Sequence, residues 1–466
     1  MSNKQIRPLL AGIAAGLCLS AGLVSCSQTT GKQREQENGW VELFNGKDLS
    51  GWEQVNGTAK YRVENGEIIG TTVKGSPNSF LATDREYGDF ILELEFLVDP
   101  TINSGIQFRS IHDSSVMKGR VHGYQFELDP SERAWTAGIY DEARRGWLYT
   151  LAMNPGARAA FRQGEWNKAR IECIGSTIRT WLNDVPAAHL VDDLTPRGLI
   201  CLQVHSIGDK DQEGKEIRWR NIRIKTENLQ PSPLDSIFVV NNVPNTISEQ
   251  EKAQGWALLW DGKTDEGWRG AHKEAFPESG WTIKDGILCV NESGGGESTN
   301  GGDIVTKEEY SAFELQLDFM LTEGANSGIK YFVTENEDVE NASAIGLEYQ
   351  LLDDKKHPDA KMGRGGNRTL ASLYDLIKAE KEDRFVRKPG EWNHARIVVQ
   401  PDKKVEHWLN GIKVLEYERG SKEFRDLVAI SKYKDWPNFG EAEKGHILLQ
   451  DHGNDVCFKS IKIREL

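Results

Sequence analysis

Beyond its first 25 residues the chain has no apolar run of the roughly 20 residues that a membrane-spanning helix needs, so its body is not assembled from such helices. Positive charge is also short: 57 Lys and Arg stand against 71 Asp and Glu over 466 residues, a formal charge of −14. That excludes an ordinary nucleic-acid backbone binder, which works through a basic surface, though not a local basic pocket. Cysteine is sparse and scattered, with six residues and no C-x-x-C pair, so a cysteine metal cluster is unsupported. G-x-S-x-G, a phosphate-binding G-x-x-x-x-G-K and a spaced EF-hand loop are all missing. What is present is a body long enough for two or three domains and real cores. Its 46 Gly and 14 Trp, against 5 Met, favour turn-rich β structure.

The first segment stands apart. Lys4 and Arg7 make a basic start, Leu9–Val24 is apolar, and Leu23-Val-Ser-Cys26 closes the run before a polar stretch. This is the layout of a secretory signal, and its Leu-x-x-Cys ending resembles a bacterial lipobox. The expectation is a leader over 1–25, lipidation of Cys26, a tether over 26–38, membrane lipid as a partner, and a bacterial cell-envelope location, periplasmic or on the outer surface. Cys173 and Cys289 lie in apolar alternating segments and fit as small core residues. A disulfide within each half stays open.

The strongest signal is an internal repeat. Gly39-Trp-Val-Glu-Leu-Phe-Asn-Gly-Lys47 returns as Gly255-Trp-Ala-Leu-Leu-Trp-Asp-Gly-Lys263, and Asn103-Ser-Gly-Ile-Gln-Phe108 as Asn326-Ser-Gly-Ile-Lys-Tyr331. Gly164-Glu-Trp-Asn167, Trp181-Leu-Asn183 and the phrase ending at His205 return in the same order, the last ending at His452. A period of about 200 residues means a duplicated domain, over 39–227 and 255–466, with Pro- and Asn-rich linker material over 228–254. Within each copy, alternation in Phe90–Leu97 and Phe313–Phe319 predicts half-buried strands, and Asn65-Gly66 and Asp285-Gly286 predict hairpin turns. The expected fold is all-β, two tandem β-sandwich domains, with short helices only near Leu370–Lys381 and Ser421–Ala429.

Alternation also sorts candidate chemistry. In Tyr124–Asp129, Gln125, Glu127 and Asp129 share one face and the apolar residues the other; in copy two Glu348 and Gln350 share a face. Gln107 and Arg109, Lys330, Gln203 with His205, and Gln450 with His452 extend these faces. Amides, carboxylates and imidazoles so arranged suit a polyhydroxylated ligand. His205, His452 and His122 are candidate bases, since imidazole titrates near neutrality. Glu127 and Glu348 fit as acid, base or metal ligand, and Arg109, Arg364 and Lys330 as groups that polarise a carbonyl or stabilise an enolate. Trp147 belongs to a loop that stacks on a ligand or closes the core. Asp129 and Asp353 are the candidates for a divalent cation such as calcium.

These phrases together resemble the bacterial 3-keto-disaccharide hydrolase family, over nearly the whole chain after the leader. The carriers are Leu43-Phe-Asn-Gly-Lys-Asp-Leu-Ser-Gly-Trp52, Asn103-Ser-Gly-Ile-Gln-Phe-Arg109, Gly123-Tyr-Gln-Phe-Glu-Leu-Asp129 and Gly138-Ile-Tyr140, with Gly346-Leu-Glu-Tyr-Gln350 and Ser372-Leu-Tyr374 in copy two. The resemblance implies concanavalin-like jelly rolls and a carbohydrate substrate whose C3 is already oxidised. It also implies cleavage by removal of the C2 proton and elimination, followed by hydration. A sugar-oxidising enzyme then acts upstream. It carries over to Gln125, Glu127, Glu348 and Gln350, and sets Tyr140 and Tyr374 among the substrate contacts. Copy two keeps Glu348, Asp353 and His452 together and is the favoured catalytic copy. A carbohydrate-binding surface lipoprotein without catalysis and a conventional glycoside hydrolase stand as alternatives.

Overall fold

A computed structural model describes residues 39–208, 210–294, 296, 298–335 and 344–466. The leader, Cys26 and the tether lie outside the described residues. No helix among the described residues is long and apolar enough to cross a membrane.

Each copy is a sandwich of two mainly antiparallel sheets. In copy one a nine-stranded sheet has Phe90–Val98 between Asn167–Ile174 and Glu216–Lys225. It faces a seven-stranded sheet whose order runs Gly146–Tyr149, Ile139–Glu142, His122–Leu128, Ser104–Ile111, Leu199–Val204, Ser79–Thr83, Trp52–Val55. Copy two repeats the plan with an eight-stranded sheet around Phe313–Leu321 and a five-stranded one holding His446–Leu449, Asn326–Thr334 and Ile345–Leu352. Alternation determines which side chains meet. Leu92, Leu94 and Phe96 of one sheet bury against Ile106, Tyr124, Phe126 and Leu128 of the other, and the Phe96 and Phe126 rings meet edge to face at 6.2 Å. Burying each such side chain stabilises by about 1.5–3 kcal/mol. A one-residue slip would turn the whole row to the wrong face, so the register is strongly specified.

The Asn65-Gly66 and Asp285-Gly286 turns have positive φ at both central residues, as a two-residue hairpin matched to the strand twist requires. Ser421 caps the helix Lys422–Ala429 by accepting from the Phe424 amide. The segment Leu370–Lys381 is not helical, contrary to expectation. Ala371 and Asp375 take positive φ, Leu373 pairs with Tyr349 and Ile377, and Leu370, Leu373 and Leu376 all sink into the core. Core packing on several sides overrode a local helical pattern. Cys289 is likewise not a lone core residue: it faces Cys457 on the neighbouring strand and forms a disulfide with it, while Cys173 and Cys201 are buried thiols.

The linker is built into the fold. Val240–Asn241 adds a parallel strand beside Leu190–Val191 of copy one. The helix Glu249–Ala253 carries a capping box formed by Ser248 and Glu251, and Glu251 pairs with Lys462 in the last strand of copy two.

Inside copy two lies a buried polar cluster. His407 faces the Ala371 carbonyl through Nδ1 at 2.9 Å and the Tyr331 hydroxyl through Nε2 at 2.8 Å. The carbonyl can only accept, so Nδ1 carries the proton, Nε2 accepts from Tyr331, and the Tyr417 hydroxyl, 2.7 Å from that of Tyr331, donates to it. Burial pushes the imidazole down to about 4. The unfolded chain therefore binds the proton first, at the ordinary value near 6.5. His407 contributes its full stability above pH 6.5 and loses about 3 kcal/mol of it as pH falls toward 4. Urea unfolding of copy two at pH 7 and pH 4.5 should show this loss, and His407→Asn should show a smaller one. Equal losses in the two proteins would exclude His407 as the source.

Candidate functional site

In copy one the face of the seven-stranded sheet turned away from the core is polar at its centre. The register sets Gln107 opposite Gln125, and Gly105 opposite both Glu127 and Gln203. Gly105 makes room for this row: a Cβ there would lie 2.3 Å from Gln125 Cδ. The side chains form a directed chain of donors. Ser110 Oγ donates to Gln107 Oε1 at 2.7 Å, Gln107 Nε2 to Gln125 Oε1 at 2.5 Å, and Gln125 Nε2 to Glu127 Oε2 at 2.6 Å. Gln203 Nε2 joins at Gln125 Oε1, at 3.0 Å, and Asn103 Nδ2 donates to Glu127 Oε1 at 2.7 Å. The amides thus fix one carboxyl group in place.

Glu127 is 5% exposed. Burial pushes its pKa up to about 7, with Asp129 adding to the rise, and this outweighs the opposing effect of the Asn103 and Gln125 donors. The carboxyl lines a 920 Å³ cleft with His205, Tyr140, Trp147, Arg120 and Arg133. His205 Nδ1 faces the Ser206 carbonyl at 2.6 Å. The neutral ring therefore keeps its proton on Nδ1 and presents Nε2 as a base. Arg120 donates to Glu142 at 2.5 Å, and Arg133 pairs with Asp129 at 2.7 Å while lying over the Trp135 and Trp147 rings. A buried carboxyl poised near neutrality, an imidazole and two guanidinium groups around one cleft can move protons and stabilise an oxyanion.

Copy two carries the same face with the acid and amide exchanged. Lys330 stands opposite Glu348 and Gly328 opposite Gln350, so Glu348 occupies the place of Gln125, and Gln350 that of Glu127. The local hydrogen bond reverses with it: Gln350 Nε2 donates to Asn326 Oδ1 at 2.8 Å. Lys330 lies 3.6 Å from Asp303, and the His452 and His357 rings meet edge to face at 6.1 Å. Gln450 follows His446–Leu449 on the neighbouring strand and, like Gln350, is buried.

Several expected residues lie elsewhere. Arg109 does not share a face with Gln107. A bulge follows Phe108, Arg109 takes positive φ, and its guanidinium binds the Gly88 and Gly175 carbonyls and Asp89. His122 is not among the cleft-lining residues, and its Nδ1 faces the Arg120 carbonyl at 3.0 Å. Arg364 spends its guanidinium on the Ile430 and Asp375 carbonyls. Tyr374 does stay beside Glu348, whose carbonyl accepts from its amide at 3.0 Å, and its hydroxyl donates to Asp359 at 2.8 Å beneath the Lys432 ammonium. The two carboxylates marked for a cation serve their own loops. Asp129 binds Ser131 and Arg133, and Asp353 accepts from the Gly324 and Lys355 amides. Among the described residues no group of three His, Cys, Asp or Glu converges as a metal-ligand set. Asn103 and Arg120 were not foreseen as site residues. The repeated Asn-Ser-Gly phrase held a signal for Asn103; Arg120 enters through loop packing that no pattern announces, and there meets Glu142 at the end of the strand Ile139–Glu142.

Comparison with known proteins agrees with the duplicated plan. Residues 39–225 and 255–464 each match the 3-keto-alpha-glucoside-1,2-lyase-like domain family. A 3-keto-disaccharide hydrolase of Bacteroides thetaiotaomicron is 40% identical over 235 residues, which is 46% of this chain and 79% of that protein. The crystal structure of a candidate glycosyl hydrolase from Parabacteroides distasonis is 33% identical, with a TM-score of 0.42, over 48% of this chain and 99% of that one. The chain belongs to the 3-keto-alpha-glucoside-1,2-lyase-like domain family, and it carries that domain twice.

Proposed function

We propose that the copy-one cleft cleaves the glycosidic bond of 3-keto-disaccharides by elimination across C1 and C2 of the oxidised sugar. The observation that carries this reading is the buried Glu127 carboxyl, near neutral pKa, in the same cleft as the tautomer-fixed His205. The C3 ketone acidifies the C2 proton. His205 Nε2 takes that proton, and the C–H electron pair delocalises onto the ketone oxygen as an enolate, in the positive field of Arg120 and Arg133. As the enolate collapses, C1=C2 forms, the C1–O bond breaks, and the departing oxygen takes the proton of Glu127. Water then adds across C1=C2 to give the free keto-sugar, so the net reaction is hydrolysis. A carboxylic acid half protonated at neutral pH suits the proton-donating role. Hydrolase chemistry follows from the family; the keto substrate and the elimination route are the proposal.

The test is to offer the purified protein a 3-keto-disaccharide and its unoxidised parent. Release from the keto form alone, with C2 deuterium lost to solvent, is expected. Equal release from the parent would indicate a conventional glycoside hydrolase, and saturable binding without release a carbohydrate-binding module.

We further propose that the protein acts in the bacterial cell envelope, tethered through a lipidated Cys26, downstream of a sugar-oxidising enzyme. The Cys289–Cys457 disulfide agrees with an oxidising compartment. Metabolic labelling with a palmitate analogue, lost in Cys26→Ala, checks the anchor.

A further inference from the structure

A second cavity, of 480 Å³, opens between the two domains, away from the Glu127 carboxyl. Copy one and the linker contribute Arg144, Arg145, Trp147 and Phe238, and copy two contributes Arg387, Arg396, Trp392, Trp408 and Lys459. Two features are unusual for a plain domain seam. The first is cationic charge without a direct ion-pair partner. Arg144 and Arg145 are answered by Asp141 and Asp192, and Arg396 by Glu314. The Arg387 guanidinium donates to the Trp147 carbonyl at 3.3 Å, and Lys459 sits over the Trp392 ring at 4.3 Å; neither makes an ion pair among the described residues. Glu391 supports the Arg387 charge and Asp318 stands opposite Lys459 in the register, but neither acid comes within ion-pair distance of either cation. Asp318 faces His394 at 2.9 Å, and Glu391 accepts from the Lys388 amide at 3.3 Å. The second feature is unmet hydrogen-bonding capacity: Arg144 Nη2 and His394 Nε2 are buried without a partner among the described residues. Around these groups stand flat apolar surfaces, with Arg396 held over Phe238 at 4.5 Å and Trp408 at 4.8 Å.

We propose that this interdomain pocket binds a small carboxylate carrying a flat apolar face, either a uronic-acid sugar or an aryl carboxylate. The carboxylate gives Arg387 the direct ion-pair partner it lacks among the described residues, and the flat face lies on the tryptophans. The site is distinct from the cleavage cleft, although Trp147 lines both.

Isothermal titration of the full chain with sodium glucuronate and sodium benzoate, with glucose and benzyl alcohol as neutral controls, tests the idea and separates the two sources. Saturable binding is expected for at least one acid and for neither control. It should weaken with added salt and fall about tenfold or more in Arg387→Gln. Glu127→Gln should bind as wild type does, which separates this result from the fate of the cleavage reading. If Arg387→Gln lowers the melting temperature by more than a few degrees, Lys459→Met replaces it as the diagnostic variant. Affinity unchanged in the diagnostic variant, equal binding of the neutral controls, or no binding of either acid to folded protein would overturn the proposal.

Discussion

Glu127→Gln should lower kcat on a 3-keto-disaccharide by about 10²–10⁴-fold, the range associated with losing a positioned general acid, while Glu348→Gln should change it by no more than about threefold. The variant should fold, and copy two shows why. Gln350 occupies the place of Glu127 and is accommodated by the reversed amide of Asn326, so Asn103 can turn in the same way. A specific role predicts a specific rescue. A keto-glucoside with a nitrophenolate leaving group needs no proton on departure, so Glu127→Gln should cleave it far better than the disaccharide. His205→Asn should fail on both. Wild-type kcat/KM should fall as pH rises through about 7, where Glu127 loses its proton. The same shift acts on stability. Folding holds this carboxyl above its unfolded value near 4.5, so the stability it contributes is complete below that value and lost as pH rises through about 7. Glu127→Gln should therefore gain stability relative to wild type at pH 8 and not at pH 4. Full activity in Glu127→Gln with loss in Glu348→Gln would move the reaction to copy two.

Glu251→Ala is expected to give the largest loss of stability, about 3–5 kcal/mol, because it strands a buried cation. Lys462 and Glu251 expose 2% and 1% of their side chains. Burial alone would raise the Glu251 pKa, yet the Lys462 charge and the Ser248 donors hold it below the ordinary value. Its second oxygen also accepts from the Ser248 amide at 2.8 Å and from Asn241 at 2.9 Å, so one carboxylate ties together the linker strand, the linker helix and the last strand of copy two. At the size of one domain this cost lowers the melting temperature by about 10 °C, measurable by scanning calorimetry. The double variant Glu251→Met/Lys462→Met should recover much of the loss, because the cost lies in the unpaired charge and not in the missing contact. A fall below 2 °C in Glu251→Ala would mean that Lys462 finds water.

Much of this was legible in the sequence because it rests on local rules. Period-two alternation announced the strands through Phe96 and Phe319, and Asn-Gly and Asp-Gly their turns. Repetition of the Asn-Ser-Gly and Gly-Glu-Trp-Asn phrases announced the duplication. Alternation also set Gln125 and Glu127 on one face. It failed where the backbone departs from its period. One residue in the left-handed region at Arg109 turned that guanidinium away from the site, and positive φ at Ala371 and Asp375 broke a helical pattern.

The sequence by itself determined that there are two domains, that both are β, and which polar residues share a face, since each of these follows from nearest-neighbour sterics and the two-residue repeat of a strand. Only the tertiary structure decided that Glu127 is buried beneath four ordered amides, that Cys289 meets Cys457, and that the linker is bound to both domains. It also opened a pocket between the copies, lined by arginines and tryptophans. Those outcomes depend on residues far apart in the chain arriving together, and on the loss of water around them, which no local pattern encodes.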